Sequence, residues 1–176
     1  AARSASFASV RKGRSRLPGK RYYKNMPSIR TALSGDIPRI MELYEQLSSG
    51  GSEAEKQPAG APESLLKAFE AIETMAGCEL IVAEDNGWVI GTLMLTIVPS
   101  LGHGGLPWTI VENVVVETGL RGTGVGKLMM EYVKDKSLEA GCYKIQLMSD
   151  KRRSEAHRFY HAIGYNATAE GFRMYL

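Results

Sequence analysis

Apolar and polar positions change their spacing several times along the chain, and each change marks an element. Ser28–Leu33 reads as a first strand, and Asp36 with Pro38 just behind it reads as a helix start, because Asp caps orphan N–H groups and Pro loses nothing in a first turn. Ile37, Ile40, Met41, Tyr44 and Leu47 then share one helical face. Ser48–Ala61 is polar and rich in Gly, Ser and Pro, hence a loop, and Pro62–Met75 sets Leu65, Leu66, Phe69 and Ile72 at helical spacing before Gly77. Glu79–Glu84 and Trp88–Val98 are apolar, β-branched runs on either side of Asp85-Asn86-Gly87, and Asn-Gly is a strong hairpin signal. After the irregular Ser100–Pro107, the run Trp108–Val116 is almost wholly apolar and reads as a central strand, with Glu112 and Asn113 its strongly polar residues. Gly122–Ala140 predicts a helix with Val125, Leu128, Met129, Tyr132 and Val133 on one face. Tyr143–Met148 predicts a strand, Ser154–Ile163 a helix ended by Gly164, and Phe172–Leu176 a final strand with Tyr165–Ala167 as its hairpin partner. The predicted order, β-α-α-β-β-β-α-β-α-β with room for one more strand, is a mixed α/β sheet without internal repeat.

At 176 residues and 44% apolar composition, the chain suits one domain with a proper core. Its net charge of +3 conceals an asymmetry. Residues 1–25 hold eight of the 22 basic residues and no acidic one, which leaves 14 basic against 19 acidic, a net −5, from residue 26 onward. That Ser- and Arg-rich stretch reads as a disordered basic leader ahead of a domain spanning 27–176; a transit peptide and a nucleic-acid-binding arm are the alternatives. Cys78 and Cys142 are too few for a disulfide framework and sit in no metal-ligand spacing, which points to a reducing compartment, here read as cytoplasmic. No apolar run reaches the roughly 18–20 residues that span a bilayer, so no membrane association is expected.

The segment most informative about chemistry is Arg121-Gly122-Thr123-Gly124-Val125-Gly126-Lys127, between the apolar strand and a helix. Glycines there let backbone N–H groups approach a ligand, and a helix N-terminus favours an anion, so a phosphate site is inferred. The two common nucleotide loops do not fit. A Walker A loop needs Gly where Arg121 stands and Ser or Thr where Leu128 stands, and a dinucleotide fingerprint needs Gly at Lys127.

The loop does match R/Q-x-x-G-x-G/A, the pyrophosphate loop of the GNAT superfamily of N-acetyltransferases. The chain resembles that family over about residues 27–176: in the strand Thr109–Val116, in the loop, and in Ala156-His157-Arg158-Phe159-Tyr160-His161-Ala162-Ile163-Gly164-Tyr165, which is similar to the family's A-x-x-F-Y-x-x-x-G-F/Y. The resemblance implies a mixed, mostly antiparallel sheet of six to seven strands flanked by about four helices. It also implies two central strands splayed at a bulge, where the pantetheine arm of acetyl-CoA pairs with backbone, here Val114, Val115 and Val116. The pyrophosphate is then expected on the N–H groups of Arg121, Gly122, Thr123, Gly124, Val125 and Gly126, with Lys127 and Arg121 adding positive charge.

Transfer of an acetyl group to a primary amine needs a base or water relay, because an alkylammonium with pKa near 10.4 is protonated at neutral pH. It needs an N–H for the oxyanion, expected near Val114, and an acid for the departing CoA thiolate, for which Tyr160 is the matching residue. Glu112 is the candidate base. By strand alternation it shares a face with Ile110, Val114 and Val116, with Asn113 facing the other way, and an apolar setting raises a carboxyl pKa. Pairing with a neighbouring cation, or holding the substrate ammonium, are the alternative roles. Arg153, counted back from Tyr160, stands where the family often has an Asn contacting CoA, and reads as a phosphate contact or a solvated charge. Trp108 reads as a border of the acceptor pocket or as core. His157 and His161 lie one turn apart without a third ligand, so no metal is expected.

Val111-Glu112-Asn113-Val114-Val115-Val116, Arg121-Gly122 and Gly141-Cys142-Tyr143-Lys144-Ile145 are similar to eukaryotic glucosamine-6-phosphate N-acetyltransferases, which have Asp where this chain has Asn113. The acceptor is expected to be a small amine, amino sugar or amino acid, with glucosamine 6-phosphate, a protein lysine, and a non-catalytic acetyl-CoA-binding module as alternatives. A homodimer is compatible with these readings; a nucleic-acid partner is not favoured.

Overall fold

The computed structural model describes residues 26–48 and 60–175, so the predicted basic leader and most of the Ser48–Ala61 loop lie outside the described residues. The elements are β1 (Ser28–Thr31), α1 (Ile37–Ser48), α2 (Pro62–Thr74), β2 (Cys78–Asp85), β3 (Trp88–Val98), β4 (Trp108–Val116), α3 (Val125–Glu139), β5 (Ile145–Leu147) and α4 (Ser154–Ala162). They form a five-stranded sheet in the order β1-β2-β3-β4-β5, antiparallel except for the parallel pair β4–β5. The β2–β3 hairpin turns through Asn86 and Gly87, both at positive φ, as the Asn-Gly signal predicts.

Each face of the sheet buries its own cluster. Ile81, Leu93, Leu95 and Val111 point to one side, where Val125, Met129 and Val133 of α3 cover them and Phe159 of α4 and Ile163 just after it pack alongside. Leu80, Val82 and Val115 point to the other side, under Ile40 and Leu43 of α1 and Phe69 of α2. A sheet covered on both faces needs apolar residues in successive positions, which is why β3 and β4 read as continuous apolar runs.

The predicted count of six to seven strands is not reached among the described residues. Tyr165–Ala167 and the described part of Phe172–Leu176 form no strand, and Phe172 and Met174 remain 89% and 83% exposed. The physical reason lies in β5, whose three residues offer too short an outer rail for a hairpin to pair against. Asp36 is also used differently from the expectation. It ends a single 3₁₀ turn (Ser34–Asp36), and its carboxylate turns back to accept the Leu33 N–H at 2.8 Å and to pair with Arg30 at 2.6 Å, while Arg30 also holds Glu84 at 2.7 Å. The Arg30 guanidinium holds the Asp36 carboxyl below its ordinary value of 3.8. A carboxylate with a lowered folded pKa stabilises the fold above its ordinary pKa, and that gain is lost as pH falls through the folded value. Asp36→Ala is therefore expected to cost about 1 kcal/mol of unfolding free energy at neutral pH, and urea denaturation in strong acid should show the gap between variant and wild type closed.

Candidate active site

Strand β4 carries a bulge at its middle. Glu112 lies opposite Met94 and Val115 opposite Thr92, so Asn113 and Val114 together face the single residue Leu93. Asn113 sits at φ +55, a left-handed conformation that Asn tolerates better than most residues. The extra residue reverses the alternation beyond it. Val111 packs toward α3 but Val115 packs toward α1 and α2, while Val114 and Val116 join the α3 side. Glu112 therefore does not share a face with Val114 and Val116, as strict alternation predicts; it lies on the α1 side with Met94. Asn113, expected to face the other way, reaches that side too and hydrogen-bonds the Tyr44 hydroxyl, which burial pushes up to about 12.

The same bulge sets the shape of the site. Strand β5 pairs only with Thr109, Ile110 and Val111, and from Glu112 onward β4 has no strand partner on that side among the described residues. An open groove of about 1430 Å³ fills the splay, lined by Val114, Val115 and Val116 along one wall and by Tyr160 and Tyr165 along another. It continues over the loop before α3 to Arg121, Gly122, Gly124, Gly126 and Lys127, and reaches Arg153 at the start of α4.

That loop is built for close backbone approach. Gly124 caps α3 at φ +101, where an L side chain is strained, and the first-turn N–H groups of Val125, Gly126 and Lys127 have no carbonyl within the helix to bond. At Gly126 a Cβ would come 3.2 Å from Phe159 Cζ, so a side chain would press on the Phe159 ring. The side chains of two other predicted loop residues serve the frame. Thr123 turns its hydroxyl onto the Leu120 carbonyl at 2.5 Å, and Val125 is buried in the core. The Arg121 guanidinium donates to the Val116 carbonyl at 3.2 Å, and the exposed Lys127 pairs with Glu131 at 3.7 Å. Contacts from α1, which no sequence spacing announces, fix the loop from outside: Gln46 accepts from the Thr118 N–H at 2.9 Å, and Arg39 meets Glu117 at 3.1 Å.

Tyr160 stands beside Phe159, with ring centroids 5.2 Å apart, and burial raises its pKa, while Arg153 pulls it down and Glu112 pushes it up. Glu112 is half-buried and does not line the groove wall, yet its charge reaches Tyr160. Burial raises its pKa and the cationic Arg173 lowers it, a partner that sequence reasoning missed because 61 residues separate the two. Trp108 lies under the Lys144 ammonium, 4.5 Å from its ring centroid, and is not part of the groove wall. Among the described residues no three His, Cys, Asp or Glu side chains gather as metal ligands.

The signature of the Acetyltransferase (GNAT) family matches residues 39–165, which include the bulged strand, the glycine loop and α4. The chain belongs to this family. As a GNAT protein it is 31% identical over 91 residues to a glucosamine 6-phosphate N-acetyltransferase of Trypanosoma brucei brucei, covering 52% of this chain and 60% of that protein. It is 31% identical over 84 residues to an aminoalkylphosphonate N-acetyltransferase of Salmonella typhimurium, covering 48% and 54%. The chain thus matches little more than half the length of these curated relatives. Its GNAT fold superposes with a TM-score of 0.77 on the crystal structure of a transcriptional regulator from Bacillus halodurans C-125, at 30% identity over 85% of this chain and 99% of the other.

Proposed function

We propose that the chain transfers an acetyl group from acetyl-CoA to a small primary amine. The observation that carries this reading is the splay itself: the end of β4, which among the described residues has no strand partner on its β5 side, leads through residues 117–124 to a glycine-capped helix N-terminus, and Tyr160 lines the same groove. The residues fit the cosubstrate. Val114, Val115 and Val116 offer a strand edge to an extended amide-bearing arm. Gly122, Gly124 and the first-turn N–H groups of α3 offer a cradle without side chains for a pyrophosphate, which the helix end favours electrostatically. Arg121, Lys127 and Arg153 surround it with positive charge. Acetyl-CoA supplies an activated thioester, and the protein's part is placement and proton management. Glu112, with its raised pKa, takes a proton from the amine directly or through water, and Tyr160 returns one to the departing sulfur.

For the acceptor, the two relatives are named for glucosamine 6-phosphate and for aminoalkylphosphonates, each an amine that also carries a phosphoryl or phosphonyl group. This favours a small amino compound with such an anionic group. The net −5 from residue 26 onward assists the approach of its ammonium end. The test is amine-dependent thiol release from acetyl-CoA over a panel of amino-sugar phosphates, aminoalkylphosphonates, amino acids and a lysine peptide, with the melting temperature followed as CoA is added. Turnover with a phosphoryl amine is expected. Stabilisation by CoA without turnover of any amine would leave a binding module, and no response to CoA at all would remove the acetyl-CoA reading.

A further inference from the structure

Gly164, at φ +95, closes α4 and turns the chain so that the Tyr165 N–H donates to the Tyr160 carbonyl at 3.0 Å. The Tyr165 carbonyl is held in turn by the His161 ring at 3.0 Å. These two bonds clamp the Tyr165 backbone over the last turn of α4, its ring 6.0 Å from that of Tyr160 and tilted by 59°, with both residues on the same groove. The ring packs against the core beneath α3. The hydroxyl is another matter, because it is buried and has no hydrogen-bond partner among the described residues. A buried hydroxyl without a partner is costly, and phenylalanine would fill the same space without that cost. The oxygen is unused in the resting structure, and its ring lies 6.0 Å from that of the one phenol that the proposed reaction asks to change its charge.

We propose that Tyr165 is a positioning residue for Tyr160, whose hydroxyl donates a hydrogen bond to the Tyr160 oxygen as that oxygen gives up its proton. The inference rests on the acetyl-transfer reading above. As the carbon–sulfur bond breaks, its electron pair stays on sulfur, and the Tyr160 proton bonds to that sulfur while negative charge moves to the Tyr160 oxygen. The Tyr165 O–H bond stays intact and points at the new charge. Of the two protons that the acceptor nitrogen sheds, one restores Tyr160 and the other leaves to solvent.

The surroundings call for such a donor. Arg153 at the head of α4 favours the phenolate, but Glu112 from β4 opposes it and burial opposes it more strongly. The other charged side chains around the groove are Arg121 on the loop, Lys127, Glu131 and Lys134 of α3, Lys144 ahead of β5, and Arg152 and Glu155 by α4. Tyr165 itself is pushed up to about 12, by burial and then by Tyr160, so it remains a donor when its neighbour ionises.

The test compares Tyr165→Phe, Tyr160→Phe and the double variant in the full chain. Ultraviolet titration of the unliganded proteins identifies the Tyr160 phenolate as the component that Tyr160→Phe removes. In Tyr165→Phe that component is expected at higher pH, with the melting temperature equal to or above that of wild type. With an active amine, Tyr165→Phe is expected to lower kcat about tenfold or more, the scale of a hydrogen bond to a charged group. The amine KM should not change, the alkaline limb of kcat should move to higher pH, and Tyr165→Phe should add no loss on top of Tyr160→Phe. An unmoved Tyr160 titration overturns the inference even if no acceptor is ever found, as does a lowered melting temperature or a fully additive double variant. A moved titration without turnover by any amine would instead count against the acetyl-transfer reading alone.

Discussion

Tyr160→Phe is expected to lower kcat by about 10²–10⁴-fold, the range for loss of a positioned general acid, while CoA still raises the melting temperature as in wild type. The substitution keeps the ring that packs beside Phe159 and lines the groove, and removes only its hydroxyl oxygen. Binding energy from the strand edge and the helix N-terminus is untouched, so the loss falls on the chemical step and not on KM for acetyl-CoA. The pH profile adds a second reading. With its pKa raised above the ordinary 10, Tyr160 is a protonated phenol throughout the neutral range, so the alkaline limb of wild-type kcat should lie in strong alkali, where the phenol ionises. That alkaline limb should be absent from Tyr160→Phe. Retention of the wild-type rate by the variant would mean that sulfur leaves as a thiolate or is protonated by another group.

Local chemistry made much of this molecule legible in advance. Asn86-Gly87, Pro62, and the run of glycines before Val125 act through their own backbone preferences, and the hairpin, α2 and α3 begin close to where those residues place them. The groove was legible for the same reason: Gly122, Gly124 and Gly126 announce a backbone-lined site whatever packs around it. The errors fall where a distant contact decides the conformation. Nothing near Asn113 in sequence reveals that Leu93 will face two residues of β4; the family resemblance implies a bulge and a splay here, but strict alternation still sets Glu112 beside Val114 and Val116, and that one mismatch moves it away. Phe172–Leu176 reads as a final strand, but a strand needs a neighbour, and β5 ends at Leu147. The partners of Glu112 and of the loop, Arg173 and Gln46, come from the tail and from α1, and tertiary packing alone brings them in.

Glu112→Gln separates the roles open to that carboxylate and should move activity and stability in opposite directions. If Glu112 accepts the amine proton, kcat falls by about 10²-fold or more and the acid limb of the wild-type profile disappears. A carboxylate that only held the substrate ammonium would instead raise KM for the amine and leave kcat in place. Stability follows from the sign of the pKa shift. Burial raises the folded pKa above the ordinary 4.5 despite Arg173, so the charged form is disfavoured by the fold. Above the raised value Glu112 therefore destabilises the protein, and the penalty is gone once the pH is below the ordinary one. The glutamine variant, nearly the same in shape and never charged, should melt at a higher temperature than wild type at neutral pH, with the difference vanishing in acid. A lower melting temperature at neutral pH would show that the electrostatic attraction of Arg173 outweighs burial, and would recast Glu112 as part of the frame that ties the tail to β4. A higher melting temperature with a lost acid limb would mark Glu112 as a group kept at the expense of stability because proton transfer needs a carboxylate held partly out of water.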